Sequence, residues 1–230
     1  MDRKQQKPPL PALVIDGTGS STFVGVLGPE AQWLARQNSG AAPLESLFET
    51  VERVLEDAEI DFDSLQAYVY SEGPGSVLGL RLCAMAIETW SRLYPQSAKR
   101  FAYNSLQLAA GEILQKQPSI HSAYVISDWK KDLWNGVEIR RGRIAATKPV
   151  PITELSTFNG SIFHLPARKG WQDPPEFAKT IRANPHALPE LLHWPDLLKA
   201  TESVQLYNAG ANTFQKWTAK RHPPLDPPTA

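Results

Sequence analysis

Gly73-Pro74-Gly75-Ser76-Val77-Leu78-Gly79-Leu80-Arg81-Leu82 is the stretch that decides how this 230-residue chain folds. Ahead of it, Leu65–Tyr70 (LQAYVY) is a run of strand-forming residues. Behind it, Val77 to Leu93 reads as a helix. A strand that turns through glycines into a helix is an α/β unit. Ser76 is a residue type that caps helix N-termini, and Gly79 permits close packing. On the helical wheel, Arg81, Glu88 and Arg92 form one narrow polar strip. Leu80, Leu82, Cys83, Ala84, Met85, Ala86, Ile87, Trp90 and Leu93 fill most of the rest. That apolar arc is about twice the width that packing on one side needs. The helix should therefore be covered twice, by its own sheet and by another lobe or another protein.

Upstream, Ala12–Asp16 (ALVID) and Thr22–Leu27 (TFVGVL) read as strands joined by the turn Gly17-Thr18-Gly19-Ser20-Ser21. Ala31–Gln37 reads as a third strand. Leu44–Ala58 is an amphipathic helix: Leu44, Leu47, Phe48, Val51, Val54, Leu55 and Ala58 keep helical spacing, with Glu45, Glu49, Glu52 and Glu56 outside. Downstream, Ser105–Gln115 is a helix and Ser122–Ser127 a strand. Leu133–Ile139 and Arg143–Thr147 form a hairpin across Arg140-Arg141-Gly142. Beyond Pro149 many prolines interrupt the pattern, leaving short helices at Pro175–Ala183 and Leu188–Lys199. The boundary between two lobes is expected near Phe101–Asn104. This divides the chain into a Pro-rich flexible arm (1–11), a first lobe (12–103), a second lobe (104–221) and a flexible tail (222–230).

Hydrophobic residues make up 42% of the chain and charged residues 21%, enough apolar content for a core. Lys plus Arg and Asp plus Glu are 24 each, so the formal charge is zero. Without a positive excess, binding nucleic acid alone by phosphate neutralisation is disfavoured. The single cysteine, Cys83, excludes an intramolecular disulfide and a Cys-based zinc site. The charged N-terminus has no apolar segment behind it, and no apolar run approaches the ~20 residues that span a bilayer. The expectation is a cytoplasmic protein without membrane contact.

Several chemistries fit parts of the sequence. Gly73-x-Gly75 before a helix could present N–H groups to an anion. Gly79 is followed by Leu80-Arg81, not the Lys-Ser/Thr of a Walker loop, and Leu78 stands where a dinucleotide fingerprint has its third glycine. The plainer reading is a tight turn with a capped helix. Asp16-Gly17-Thr18 could hold Mg²⁺ and touch phosphates, though an Asp at a strand end is more often a turn former. None of His121, His164, His186, His193 and His222 shows the spacing that puts two imidazoles on one metal, so neither a metal nor another cofactor is expected. The G-x-S-x-G elbow of a Ser hydrolase is absent. Cys83 reads as a small buried hydrophobe. Arg140, Arg141 and Arg143, with Lys130 and Lys131, could meet nucleic-acid phosphate or form a solvated hairpin tip.

Val14-Ile15-Asp16-Gly17-Thr18, the helix ending Glu56-Asp57-Ala58, the glycine loop Gly73–Leu82 and Ser105-Leu106-Gln107-Leu108-Ala109 together resemble the TsaB (YeaZ) family. The family's loop reads GPGSFTGLRIG. Here Val77-Leu78 replace Phe-Thr, and Cys83 replaces a glycine. Asp128-Trp129-Lys130-Lys131 stands where the family has D-A-R-R-G, its G-D-G stretch is missing, and Val204–Tyr207 with Lys216-Trp217 is similar to its C-terminal strand.

The resemblance covers about half of the chain. It implies an α/β actin-like ATPase fold (ASKHA, ribonuclease H-like) with two lobes, the second divergent. It implies a catalytically silent paralogue of TsaD, the metal-bearing subunit that transfers a threonylcarbamoyl group to the tRNA adenosine beside the anticodon. The implied partners are a TsaD-like subunit and a TsaE-like ATPase, with self-association into a dimer, and tRNA met only through the complex. Family members dock through their two N-lobe helices. On that basis Leu82, Met85, Ala86, Thr89 and Leu93 are expected at a helical interface, with Leu80, Cys83, Ala84 and Ile87 against the sheet. The glycine loop (Gly73, Pro74, Gly75, Ser76, Gly79, Arg81) and a vestigial nucleotide site (Asp16, Gly17, Thr18) complete the expected site. The alternative function is an actin-like-fold phosphotransferase using Asp16, and a peptidase is a third reading.

Overall fold

A computed structural model describes residues 7–41, 43–94, 99–166 and 172–209. The first six residues of the arm, the tail 222–230 and Lys216-Trp217 lie outside the described residues.

The chain opens with three strands, β1 (Ala12–Asp16), β2 (Phe23–Leu27) and β3 (Trp33–Asn38), followed by α1 (Pro43–Asp57). The expected alternation of strand and helix follows: β4 (Ala67–Gly73), α2 (Val77–Leu93), β5 (Lys99–Asn104) and α3 (Ser105–Lys116). Next come β6 (Ser122–Lys130), β7 (Leu133–Arg140), β8 (Arg143–Ile144), β9 (Lys148–Pro151), α4 (Ile152–Ser156) and β10 (Ser161–His164). The described chain closes with β11 (Lys179–Thr180), α5 (Leu188–Leu191) and β12 (Lys199–Thr201).

The first sheet has the order β12-β5-β4-β1-β2-β3. Strands β1, β2 and β3 form an antiparallel meander, whereas β4 lies parallel to β1 and β5 parallel to β4. The parallel pairings need crossover helices, which α1 and α2 supply. Strand β1 is the middle of this sheet and every residue of it is buried, so ALVID reads as a continuous apolar run rather than an alternation. The second sheet runs β11-β10-β6-β7-β8, with β9 also paired to β7.

Helix α3 joins the two sheets. Ser105 through Leu114 are all buried, because Leu108 packs into the core shared with β1, β2 and β5 while Leu106, Ala109, Ala110 and Ile113 pack on β6 and β7. A helix apolar all round is one that is covered all round.

The C-terminal third departs from the sequence expectations. The helix expected at Pro175–Ala183 is absent; two of its residues, Lys179 and Thr180, pair as a strand with β10. The helix expected over Leu188–Lys199 is a single turn, α5, and Lys199 begins β12. Strand β12 pairs with β5, and Leu188, Leu191, Leu192, Leu197 and Leu198 pack into the first lobe's core. After β11 the described chain thus returns to the first sheet. The leucines of 188–198 bury too much apolar surface to stay on a Pro-rich excursion.

Helix α2 tests which of its apolar residues carry stability. Ile87 is fully buried and Met85 is not. Ile87→Ala should cost about 2–5 kcal/mol in urea unfolding, whereas Met85→Ala should change it by less than about 0.5 kcal/mol.

Candidate functional site: the glycine loop and the face of two helices

The C-terminal end of β4 and the β1–β2 turn meet through glycines. Gly73 has φ of 102°, a conformation that side chains rarely adopt. A Cβ on Gly79 would lie 2.3 Å from the Gly17 carbonyl oxygen, and one on Gly17 would lie 2.7 Å from the Cys83 Sγ. Helix α2 thus begins directly on the turn. Ser76 N donates to Thr18 O at 3.1 Å, and the Ser76 hydroxyl accepts from Gly79 N at 3.3 Å, closing the N-cap. Ser105 Oγ donates to Pro74 O at 2.7 Å and holds the loop from the α3 side.

Asp16 sits under this loop and is almost fully buried. Its Oδ1 accepts from Thr18 N at 2.7 Å and Thr18 Oγ1 at 2.5 Å, and its Oδ2 accepts from Tyr103 OH at 2.5 Å. Burial first, then the Asp16 charge, holds the Tyr103 phenol well above its ordinary value, so Tyr103 stays a donor. Cys83 lies beside this group. Burial, with Asp16 second, pushes its thiol from 9.0 up to about 12. The structure does bring Asp16, Gly17 and Thr18 together, but the carboxylate is engaged as an internal latch and the glycine loop covers it. Among the described residues no three His, Cys, Asp or Glu side chains come together in a way that could hold a metal ion. Among the described residues no helix is long and apolar enough to cross a membrane.

The other feature of the site is the outer face of α1 and α2, which lie side by side on one face of the first sheet and share its core. Phe48 meets Trp90 edge-on at 6.0 Å. Leu44 is 66% exposed and Phe48 51% on α1, and Met85 is 69% and Leu93 65% on α2. Val77 and Leu78 are exposed as well. Of the residues expected at an interface, Met85, Thr89 and Leu93 face out and Leu82 is half-buried. Ala86 is a correction, because it is buried in the core. It lies seven residues after Gly79 and three after Cys83, so it shares the face on which the helix approaches the sheet. Ala84, expected against the sheet, is half-buried, and Trp90 takes the inner position. Leu44 and Phe48, expected on the apolar stripe of the first helix with Leu47 and Val51, lie exposed at its edge, and Leu78 is an exposed residue to which the sequence assigns no interface role.

In the basic cluster, Arg140 pairs with Glu138 at 2.7 Å, and Lys130 Nζ lies 4.3 Å from the Trp129 ring centroid. The ring nitrogens of His164 are both engaged, by Leu165 O and Thr180 Oγ1.

A sheet of order 3-2-1-4-5-12 with an antiparallel first meander, followed by a second sheet across a buried helix, is an actin-like, ribonuclease H-like fold. Within that class, the family model for TsaD, the tRNA N6-adenosine threonylcarbamoyltransferase, matches residues 40–95. YeaZ from Pseudomonas aeruginosa superposes with a TM-score of 0.58 at 15% identity, over 79% of this chain and 89% of that one. A second Pseudomonas aeruginosa protein, described as similar to peptidase YEAZ, gives a TM-score of 0.52 at 15% identity, over 67% of this chain and 74% of that one. No curated protein sequence matches. The fold is thus the YeaZ fold, in agreement with the resemblance carried by the glycine loop, and the matched segment contains α1 and α2.

Two outcomes check the site. Gly79→Ala should lower stability by roughly 1–3 kcal/mol, because a methyl group cannot enter the contact with Gly17. The native Cys83 thiol keeps a proton that the unfolded thiol, near 9.0, gives up. Its contribution to stability is complete below that pH and is lost as pH rises toward 12. Urea midpoints measured from about pH 8 to about pH 11 should fall less steeply in Cys83→Ala than in the parent.

Proposed function

We propose that this chain is a TsaB-like, non-catalytic subunit that docks on a TsaD-like paralogue and supports threonylcarbamoyl transfer to the tRNA adenosine beside the anticodon. The observation that carries the reading is the apolar face formed by Leu44, Phe48, Met85 and Leu93, exposed on two helices that a sheet alone does not cover. Exposed apolar patches of this kind mark interaction surfaces. Both helices fall inside the segment that matches the TsaD family model. A paralogue sharing that segment has a corresponding pair of helices to set against it. Each of these side chains contributes about 1.5–3 kcal/mol when fully buried, which must exceed the cost of ordering two molecules.

The reading as a silent paralogue is supported by Asp16. A carboxylate that already accepts three internal hydrogen bonds is poorly placed to carry Mg²⁺ for phosphotransfer. In this proposal a TsaE-like ATPase joins the same cytoplasmic complex, self-association uses the same face, and tRNA is met only through the partner.

Met85→Glu or Phe48→Glu should abolish co-purification with a TsaD-like subunit. Each places a carboxylate where an apolar contact forms. Met85 is exposed in the monomer, so Met85→Glu should keep urea stability within about 0.5 kcal/mol of the parent, whereas Phe48→Glu also loses the edge-on contact with Trp90 and should cost about 0.5–1.5 kcal/mol. Unchanged complex formation by both variants would overturn the assignment of the surface.

A further inference from the structure

We propose that the cleft between the two lobes binds a small apolar zwitterion, of the chemical class of a free amino acid or a short peptide. The cleft has a volume of about 890 Å³ and is lined by none of Leu44, Phe48, Met85 and Leu93. It lies where β4 runs into α2 and where β6 and β10 end, at the carboxyl ends of parallel strands, the usual ligand position in open α/β sheets.

Its polar groups carry both signs. On one side is the first turn of α2. Ser76 accepts from Gly79 N, and the Val77 N–H at the start of the helix has no carbonyl one turn behind it to donate to. Arg81 stands one turn further on, at the same cleft, with no side-chain or carbonyl partner among the described residues. The helix start and the guanidinium together favour a carboxylate.

On the other side are Asp128 and Asn135. The Asp128 carboxylate lines the cleft and pairs with no described cation. Asn135 is 97% buried (3% exposed), and its Oδ1 accepts no hydrogen bond. Its Nδ2 already donates to Ser127 Oγ at 3.5 Å and Asp128 O at 3.4 Å, so the carbonyl is the end left for a donor. A buried acceptor without a donor is costly and calls for a partner. An ammonium group supplies donors to Asp128 and Asn135 alike.

A simple anion such as phosphate satisfies the α2 side and is repelled by Asp128. A simple cation does the reverse. A ligand bearing both charges satisfies both sides, and Trp129, Leu165 and Leu206 line the same space for its apolar part.

The test uses the full chain, by calorimetry and by tryptophan fluorescence. The probes are L-leucine for the amino-acid source and leucyl-leucine for the peptide source. 4-Methylpentanoate (no ammonium) and isoamylamine (no carboxylate) are the singly charged controls. At least one zwitterion should bind with a Kd of about 1 mM or tighter. Both controls should bind at least about tenfold more weakly, and so should the zwitterion to Arg81→Gln and to Asp128→Asn. No saturable binding of either zwitterion at concentrations of about 10 mM would overturn the proposal. So would a control that binds as tightly as the zwitterion, or variants that bind like the parent. The measurement needs no partner subunit, so its failure leaves the docking assignment standing, and the converse holds.

Discussion

Helix α2 can start where it does only because Gly79 and Gly17 have no side chains. Their contact sets the N-terminus of α2 on the β1–β2 turn, and two neighbouring arrangements depend on it. Cys83, one turn along α2, is pressed against the turn and the Asp16 latch beneath it. Ala86 and Trp90, continuing the same row, are pressed against the sheet. A side chain at either glycine lifts the helix off β1 and re-aims every residue that follows.

That rigid seat decides which part of an unusually apolar helix is left over. The inner row is used up by the sheet. The outer row, from Leu78 through Met85 to Leu93, cannot turn inward without breaking the glycine contact, and α1 adds Leu44 and Phe48 beside it. The exposed face is therefore a consequence of how firmly the buried face is held. This is the physical basis for reading it as a docking surface.

The Asp16 latch follows the same logic. An aspartate at the end of a central strand, beside a Gly-Thr turn, has the sequence appearance of a phosphate or metal site. Here the loop that would have to open for a ligand lies on Thr18, and Tyr103 from β5 takes the remaining carboxylate oxygen. Polar groups converge instead farther along the cleft, where α2 begins and β6 ends.

Local pattern was sufficient for the strands β1, β2, β4 and β6 and for α1, α2 and α3, because each carries its period or its capping residues within one short window. It was also sufficient to show that α2 has more apolar surface than one sheet needs. Several features depended on tertiary structure. Ala86 lies inside and Met85 outside, a distinction set by the tilt that the glycine contact imposes and invisible on a wheel where both are apolar. Residues 185–209 return to the first lobe, since their leucines find their partners far away in sequence, on β1 and β5. Tyr103 closes on Asp16 across 87 positions. A sequence records which residues can be buried, but a burial partner brought in by chain crossover leaves no local trace.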